Sequence, residues 1–339
     1  MSVFSTQIIR DPGTLAVLAA EWWSLWRRAP HATPFQSPAW LMPWWDVFAP
    51  GQLASIAIRQ DNRLVAFAPL YLETGALGLR LLPVGIGTSD YLDVLIDPDC
   101  EEAASKELMA TVPRLAPWEI CEFTELTANA TALKLPSPVG LSAMMSDASE
   151  ASVLPIPATA QDLSDCIPLL RWRQLRMARD QAAHRGEMAI VVGDADNSAA
   201  LLRDLARLHR ARPNRRVEAG GFSDKQAVQF HAAALPGLIA ANLARLYALM
   251  IGDKVASVYY GFLDRDRAYA YLHGYNPGFA DDSPGLIVMG YAIEQAIKEG
   301  AREFHFLRGE EHYKFEWGAS QRRNKLRMFV RDNATVPPL

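Results

Sequence analysis

Leu53–Phe67 reads LASIAIRQDNRLVAF: apolar residues in alternation, a polar break at Gln60–Arg63, then apolar residues again. This pattern predicts a β-hairpin. Leu243–Ser257, LARLYALMIGDKVAS, repeats it around Ile251–Lys254. At an offset of 190, Leu53/Leu243, Ala54/Ala244, Val65/Val255 and Ala66/Ala256 are identical. Each hairpin precedes a strand, a helix and another strand. These are Tyr91–Ile96, Glu101–Leu115 and Trp118–Thr124 in the first half, and Ala268–Tyr275, Pro284–Glu299 and Glu303–Leu307 in the second. The same elements in the same order predict two copies of one α/β unit, residues 1–160 and 161–339, with Pro136–Pro157 as a connector.

The second copy is the more fully punctuated. A helix Cys166–Arg185 closes at Gly186, and Glu187–Val192 reads as a short strand. Asn197 precedes a helix with Leu201, Leu202, Leu205 and Leu208 on one face, and Ser223 with Gln226 is the signature of a further helix start. After three strands and a loop, Asn276–Asp282, Ser283 stands at an N-cap with Pro284 at the first helical position. Leu286, Met289, Ile293 and Ile297 form the buried stripe of that helix, and Gly300 stops it. A strand, a short helix through Trp317 and a last strand, Lys325–Val330, complete the copy.

Composition narrows the class. A chain of 339 residues, 50% hydrophobic and 21% charged, has room for two domains and a sizeable core, which excludes a disordered or fibrous protein. Three cysteines, Cys100, Cys121 and Cys166, lack paired spacing and argue against a disulfide scaffold. No apolar run approaches the roughly 18 residues of a membrane span, and no basic cluster precedes Leu15–Ala20. A cytoplasmic globular protein is expected. The net charge of −4 hides an asymmetry: residues 1–165 carry 9 basic and 19 acidic side chains, residues 166–339 carry 25 and 19. Residues 171–216 hold eleven arginines and no lysine, either as solvated helix faces or as a field for a polyanion such as a nucleotide cofactor or RNA.

Candidate chemistry gathers in the second copy. The amides of Gly285, Leu286 and Ile287, at the helix start formed by Ser283 and Pro284, are expected to point outward as an anion site. Tyr269, Tyr271, His273 and Tyr275 fall on one strand face by simple alternation, lining a cleft or surrounding a buried histidine. The run after the next strand delivers Glu310, Glu311, His312, Tyr313 and Lys314 within one turn, either as acid–base chemistry or as a solvated helix with Tyr313 and Trp317 packed on the sheet. In the first copy Gly85–Tyr91 is glycine-rich but lacks the third glycine of a dinucleotide fingerprint, so Asp90 and Tyr91 are read as facing a substrate. Six of nine tryptophans fall between Trp22 and Trp45, forming an acceptor groove or a core that clamps an N-terminal helix. Scattered histidines, with no third partner for His305 and His312, predict no metal site.

The stretch HGYNPGF, SPGLIVMGYAIEQAIKEG and FHFLRGEEHYKFEWG, with FQSPAWLMPWW, LVAFAPLYLE and TSDYLDV in the first half, resembles the acetyltransferase family that includes the bacterial cellulose-biosynthesis protein CelD. The element order of the second copy is similar to the GNAT N-acyltransferase fold, and the doubling resembles the FemAB-type transferases, built from two GNAT-like units. The resemblance implies an α/β fold of two tandem GNAT-like domains, with mixed, mostly antiparallel sheets flanked by helices. It implies an acyltransferase taking an acyl group from acetyl-CoA or another acyl-CoA, without metal, to an amine or hydroxyl of a small-molecule or saccharide acceptor, in exopolysaccharide or envelope biosynthesis. His273, Glu310 and Tyr313 would then be catalytic. Tyr275, Ser283, Pro284, Gly285, Leu286 and Ile287 would hold the donor, and Asp90, Tyr91, His209, Arg212 and Lys314 the acceptor. Two departures stand out: His305 occupies a position that is usually Asp in the family, and the GNAT pyrophosphate signature Arg/Gln-x-x-Gly-x-Gly/Ala is missing before Ser283. The rival readings are a FemAB-like transferase using aminoacyl-tRNA and a non-catalytic partner of a polysaccharide-assembly system.

Overall fold

The computed structural model describes residues 3–76, 78–210, 222 and 225–331; Arg212 and Ser223 lie outside the described residues. In chain order the first half forms β1 (Phe4–Ile9), α1 (Pro12–Val17), α2 (Ala19–Arg28), α3 (Pro38–Phe48), β2 (Gln52–Leu53), β3 (Ser55–Gln60), β4 (Arg63–Ala68), β5 (Leu70–Gly75), β6 (Gly78–Pro83), β7 (Leu95–Ile96), α4 (Glu101–Thr111), β8 (Ile120–Leu126) and β9 (Leu141–Pro155). The second half forms α5 (Leu169–Arg185), β10 (Met188–Val192), α6 (Ser198–Arg210), α7 (Lys225–Ala240), β11 (Ala244–Ile251), β12 (Lys254–Asp264), β13 (Arg267–Tyr275), α8 (Pro284–Lys298), β14 (Glu303–Arg308), α9 (Tyr313–Glu316) and β15 (Ser320–Arg331).

Two compact units result: residues 1–149 with 323–339, and residues 150–322. The division differs from a cut at residue 160. The end of β9, Ala151–Pro155, pairs antiparallel with β14 of the second unit, and the end of β15, Lys325–Val330, pairs antiparallel with β8 of the first. Each unit thus takes its closing strand from the other half of the sequence. The segment Pro136–Pro157, expected as a connector, is mostly strand.

In the first unit β1, β3, β4 and β7 form one sheet, and β8 pairs parallel with β6 rather than with β7. The tryptophans form a core, as the clamp reading expects. Trp22, Trp26, Trp40, Trp44 and Trp45 are buried, and four of their indoles donate internally, Trp22 to Gln36 O (2.9 Å), Trp26 to Thr33 O (2.8 Å), Trp40 to Ser89 Oγ (2.9 Å) and Trp44 to Thr88 Oγ1 (3.0 Å). Asp90 and Tyr91, expected to face a substrate, pack inside the first unit. Both are buried, with the Tyr91 carbonyl accepting from Gln36 Nε2 (2.8 Å) and its ring against Phe35.

The second unit orders its strands β10-β11-β12-β13-β14, with β13 and β14 parallel and the others antiparallel. Its α8 packs into a core of Val288, Ala292 and Ile293 against Tyr247, Tyr259 and Phe304.

The two hairpins repeat, but not in the register suggested by the four identities. The turns are Asp61-Asn62 and Gly252-Asp253, between the closing pairs Gln60↔Arg63 and Ile251↔Lys254. Both hairpins carry a bulge at the same distance from the turn, which leaves Val65 and Ala256 unopposed. Structural correspondence therefore runs at an offset of 191, one residue from the identities. A further match lies at the far end: Glu125 in β8 and Leu307 in β14, each the penultimate residue of its strand, have φ of 54° and 61°.

Candidate active site

The site begins where two strands part. β13 and β14 pair only over Arg267–Tyr269 and Glu303–His305, although β13 continues to Tyr275 and β14 to Arg308. The separation starts at a bulge. The register with β12 runs from Leu272, which faces Tyr260, to Ala270, which faces Gly261, and skips Tyr271. An extra residue bends and twists its strand, which carries β13 away from β14.

The same bulge corrects the expectation that four side chains share one face. Tyr271 turns to His231, Tyr260 and Phe262, whereas His273 faces Tyr313. Simple alternation fails because the inserted residue resets it. Gly274, whose missing side chain would meet Leu208 and His209, turns opposite to His273. His209 therefore lies on the other side of the sheet, its ring against Phe222, and takes no part in the cleft.

The direction of the strand amides follows from one bond at the end of β13. Asn276 N–H donates to Ala256 O (2.8 Å) and so points to β12. Successive strand amides point to opposite edges, which turns those of Tyr275 and His273 toward the gap. Tyr259 supports this strand from below. Its hydroxyl donates to Tyr269 O (3.2 Å), and burial holds that phenol protonated well above the ordinary tyrosine range.

A cavity of about 220 Å³ opens at the parting. His273 and Tyr275 line it from β13, the first turn of α8 from Ser283 to Leu286, and Tyr313 and Trp317 from the α9 region. Arg171 of α5 closes one side, stacked on Trp317 with Cζ 4.7 Å from the indole centroid. The rings of His273 and Tyr313 meet edge to face at 5.8 Å.

The helix start differs from the expected anion site. Ser283 is in the left-handed region (φ 51°) and its hydroxyl makes no capping bond. Its carbonyl accepts from both Leu286 N (3.0 Å) and Ile287 N (3.3 Å), so those two amides are used within the turn. The Ile287 side chain is buried beneath the helix. Of the three expected donors, the Gly285 amide remains for a ligand, and a Cβ built at Gly285 finds no atom nearer than 3.9 Å.

Two residues after β14 are placed elsewhere. Glu310 is exposed and is not among the residues lining the cavity. Lys314 is buried, its ammonium donating to the carbonyls of Leu307 (3.3 Å), Arg308 (2.6 Å) and Gly309 (3.1 Å) and pairing with Glu311 at 2.8 Å. It clamps the loop that follows the left-handed Leu307 and has no proton left for an acceptor substrate. His305 sits at the last strand pair, its ring against Tyr269 and its Nε2 3.0 Å from Glu303 Oε2. Burial lowers the His305 pKa, and the bond from His305, with help from Arg322, holds Glu303 at about 2.

Trp317 is buried, as expected of a residue packed on the sheet, and also lines the cavity; Arg171 is marked in the sequence by nothing beyond the arginine-rich character of residues 171–216. Burial lowers the pKa of the Arg171 guanidinium, opposed by Glu316 and Tyr313, yet an arginine stays charged at such values. Among the described residues no group of three or more His, Cys, Asp or Glu is placed to hold a metal ion, and no helix is long and apolar enough to cross a membrane.

Residues 171–315 match the family model described as an acetyltransferase (GNAT) domain. No curated protein sequence matches the chain. Among solved structures, FemX superposes with a TM-score of 0.68 at 11% identity, over 95% of this chain and 96% of that one. A conserved protein of unknown function from Bacteroides thetaiotaomicron reaches 0.61 at 12%, over 97% and 100%. L-PGS from Bacillus licheniformis reaches 0.54 at 12%, over 88% of each. At these identities the structures report fold. The domain match over residues 171–315, on an α/β fold of two GNAT-like units, supports an enzyme of the N-acyltransferase type.

Proposed function

We propose that the chain transfers an acyl group, acetyl in the simplest case, from a coenzyme A thioester to an amine or hydroxyl of a small-molecule or saccharide acceptor. The observation that carries this reading is the parting of β13 from β14 with a cavity at its mouth. The thioester carbonyl enters the gap between the parted strands, where a backbone N–H that faces it stabilises the tetrahedral oxyanion by about 3 kcal/mol per donor. His273, directly or through water, takes the proton of the attacking nucleophile. As the C–S bond breaks, the Tyr313 hydroxyl gives a proton to the departing thiolate. The acyl carbon gains the acceptor's nitrogen or oxygen and loses sulfur. The second unit is the donor-binding one in this reading and the first a degenerate copy. Support for that comes from β7, two residues long and unpaired with β8, so that the paired-then-parted arrangement of β13 and β14 is not repeated among the described residues of the first unit. An exopolysaccharide or envelope acceptor rests on the resemblance to the CelD-type family.

A second reading has one observation in its favour. With Leu286 and Ile287 tied to Ser283, the helix start offers a pyrophosphate little, which suits an aminoacyl-tRNA ester as donor. Calorimetry with acetyl-CoA, a long-chain acyl-CoA and charged tRNA separates the two. Saturable acyl-CoA binding with thiol release upholds the first. tRNA binding that weakens steeply with salt, without acyl-CoA binding, replaces it with the second.

A further inference from the structure

Two buried donors at the cavity have no acceptor. Trp317 is fully buried and lines the cavity, and its Nε1 has no hydrogen-bond partner. Arg171 lies against it, with a side chain 11% exposed and its Nε likewise buried and unpartnered. One terminal nitrogen of that guanidinium is engaged by Glu316 (2.7 Å) and Gln174 (3.2 Å); Nε is not. Indole and guanidinium nitrogens only donate, and a buried donor with no acceptor costs folding free energy. Two of them in contact at one cavity define a place that an acceptor atom from outside would fill.

The rest of the wall sets the charge of that atom. The Gly285 amide opens on the same cavity at the positive end of the fifteen-residue helix α8. No aspartate or glutamate is among the residues lining it. Arg171 carries a full charge; its partner Glu316, at 2.7 Å from one terminal nitrogen and 41% exposed, leaves Nε unengaged.

We propose that Arg171 and Trp317 form an oxyanion subsite, which holds a carboxylate or phosphate of the substrate beside the reacting centre. The inference deepens the acyl-transfer reading and rests on it for the identity of the group held. A carboxylate belongs to the acyl group or its acceptor, a phosphate to the donor. Arg171 offers Nε, and the indole N–H converges on the same oxygen or its neighbour, so an uncharged amide is the group the subsite rejects.

The test reads the indole directly and needs no turnover. The protein is labelled with ¹⁵N at its nine tryptophans, the Trp317 cross-peak is assigned by its loss in Trp317→Phe, and the full chain is titrated with succinate, inorganic phosphate and succinamide. The expected result is a saturable shift of that peak with succinate or phosphate and none with succinamide, weakened at least tenfold in Arg171→Met. Arg171→Lys, which keeps the charge and the stem but not the fork, falls between and serves if Arg171→Met does not fold. A shift with succinate alone assigns the subsite to a carboxylate, with phosphate alone to a donor phosphate. No shift with either anion, an equal shift with succinamide, or an unchanged titration in the Arg171 variants overturns the proposal. Thiol release from acetyl-CoA is measured separately. Its absence beside an intact indole response refutes the acyl-CoA reading alone, and its presence beside a silent indole refutes the subsite alone.

Discussion

The imidazole of His273 and the ring of Tyr313 meet edge to face at 5.8 Å, from a strand and from the short helix after the neighbouring strand. The contact puts two groups able to move protons across one cavity, and it is made by the rings, without the Tyr313 hydroxyl. Tyr313→Phe keeps the ring contact and removes the proton. With Tyr313 as the acid for the leaving thiolate, kcat falls by about 10²-fold or more while KM changes little. Steady-state thiol release measures this, and a variant with full turnover removes Tyr313 from the chemistry.

Lys314 makes a different prediction from its neighbour. Its ammonium satisfies the carbonyls of Leu307, Arg308 and Gly309, where Leu307 and Gly309 both have positive φ. Lys314→Met leaves those carbonyls short of a donor and Glu311 without its partner. A loss of about 3 kcal/mol in denaturant-derived stability is expected. An acceptor-binding lysine would instead leave stability unchanged and raise the acceptor KM.

What the sequence made legible follows from the range of the signals. The Asp61-Asn62 and Gly252-Asp253 turns, the start of α8 at Ser283-Pro284 and its stop at Gly300 are local, and caps and turn residues report them directly. The bulge at Tyr271 is not local information. One inserted residue leaves the apolar pattern intact and moves His273 to the other face from Tyr271. Strand β9 was hidden by its composition, LSAMMSDASE, since only Ala151–Leu154 is buried. The Arg171–Trp317 stack joins residues at opposite ends of the second unit, and nothing in either neighbourhood marks it.

Gly285 separates binding from folding. Its Cβ position lies 3.9 Å from Tyr275 and 4.0 Å from His273, an ordinary contact distance. Gly285→Ala is therefore neutral or stabilising by up to about 1 kcal/mol, through the lower backbone entropy of the unfolded chain. Gly285→Leu adds a branched side chain on the cavity side of the same turn. It is expected to keep its melting temperature and to lose at least tenfold in donor affinity. Equal donor affinity in Gly285→Leu would place the donor elsewhere.

The pair His305 and Glu303 sets how stability responds to acid. Burial lowers the His305 pKa in the folded chain below its ordinary 6.5, so the unfolded chain takes up a proton first as pH falls. Its share of stability is complete above about pH 6.5 and is lost progressively below it. Glu303, held at about 2 by the bond from His305 and by Arg322, against an ordinary 4.5, acts in the same direction at lower pH. Its share is complete above about pH 4.5 and is lost as pH falls through 2. Melting temperature is thus expected to decline in two stages on acidification. His305→Asn should flatten the upper stage, which sets in below about pH 6.5, and Glu303→Gln the lower one. An upper stage of unchanged slope in His305→Asn would assign it to another histidine.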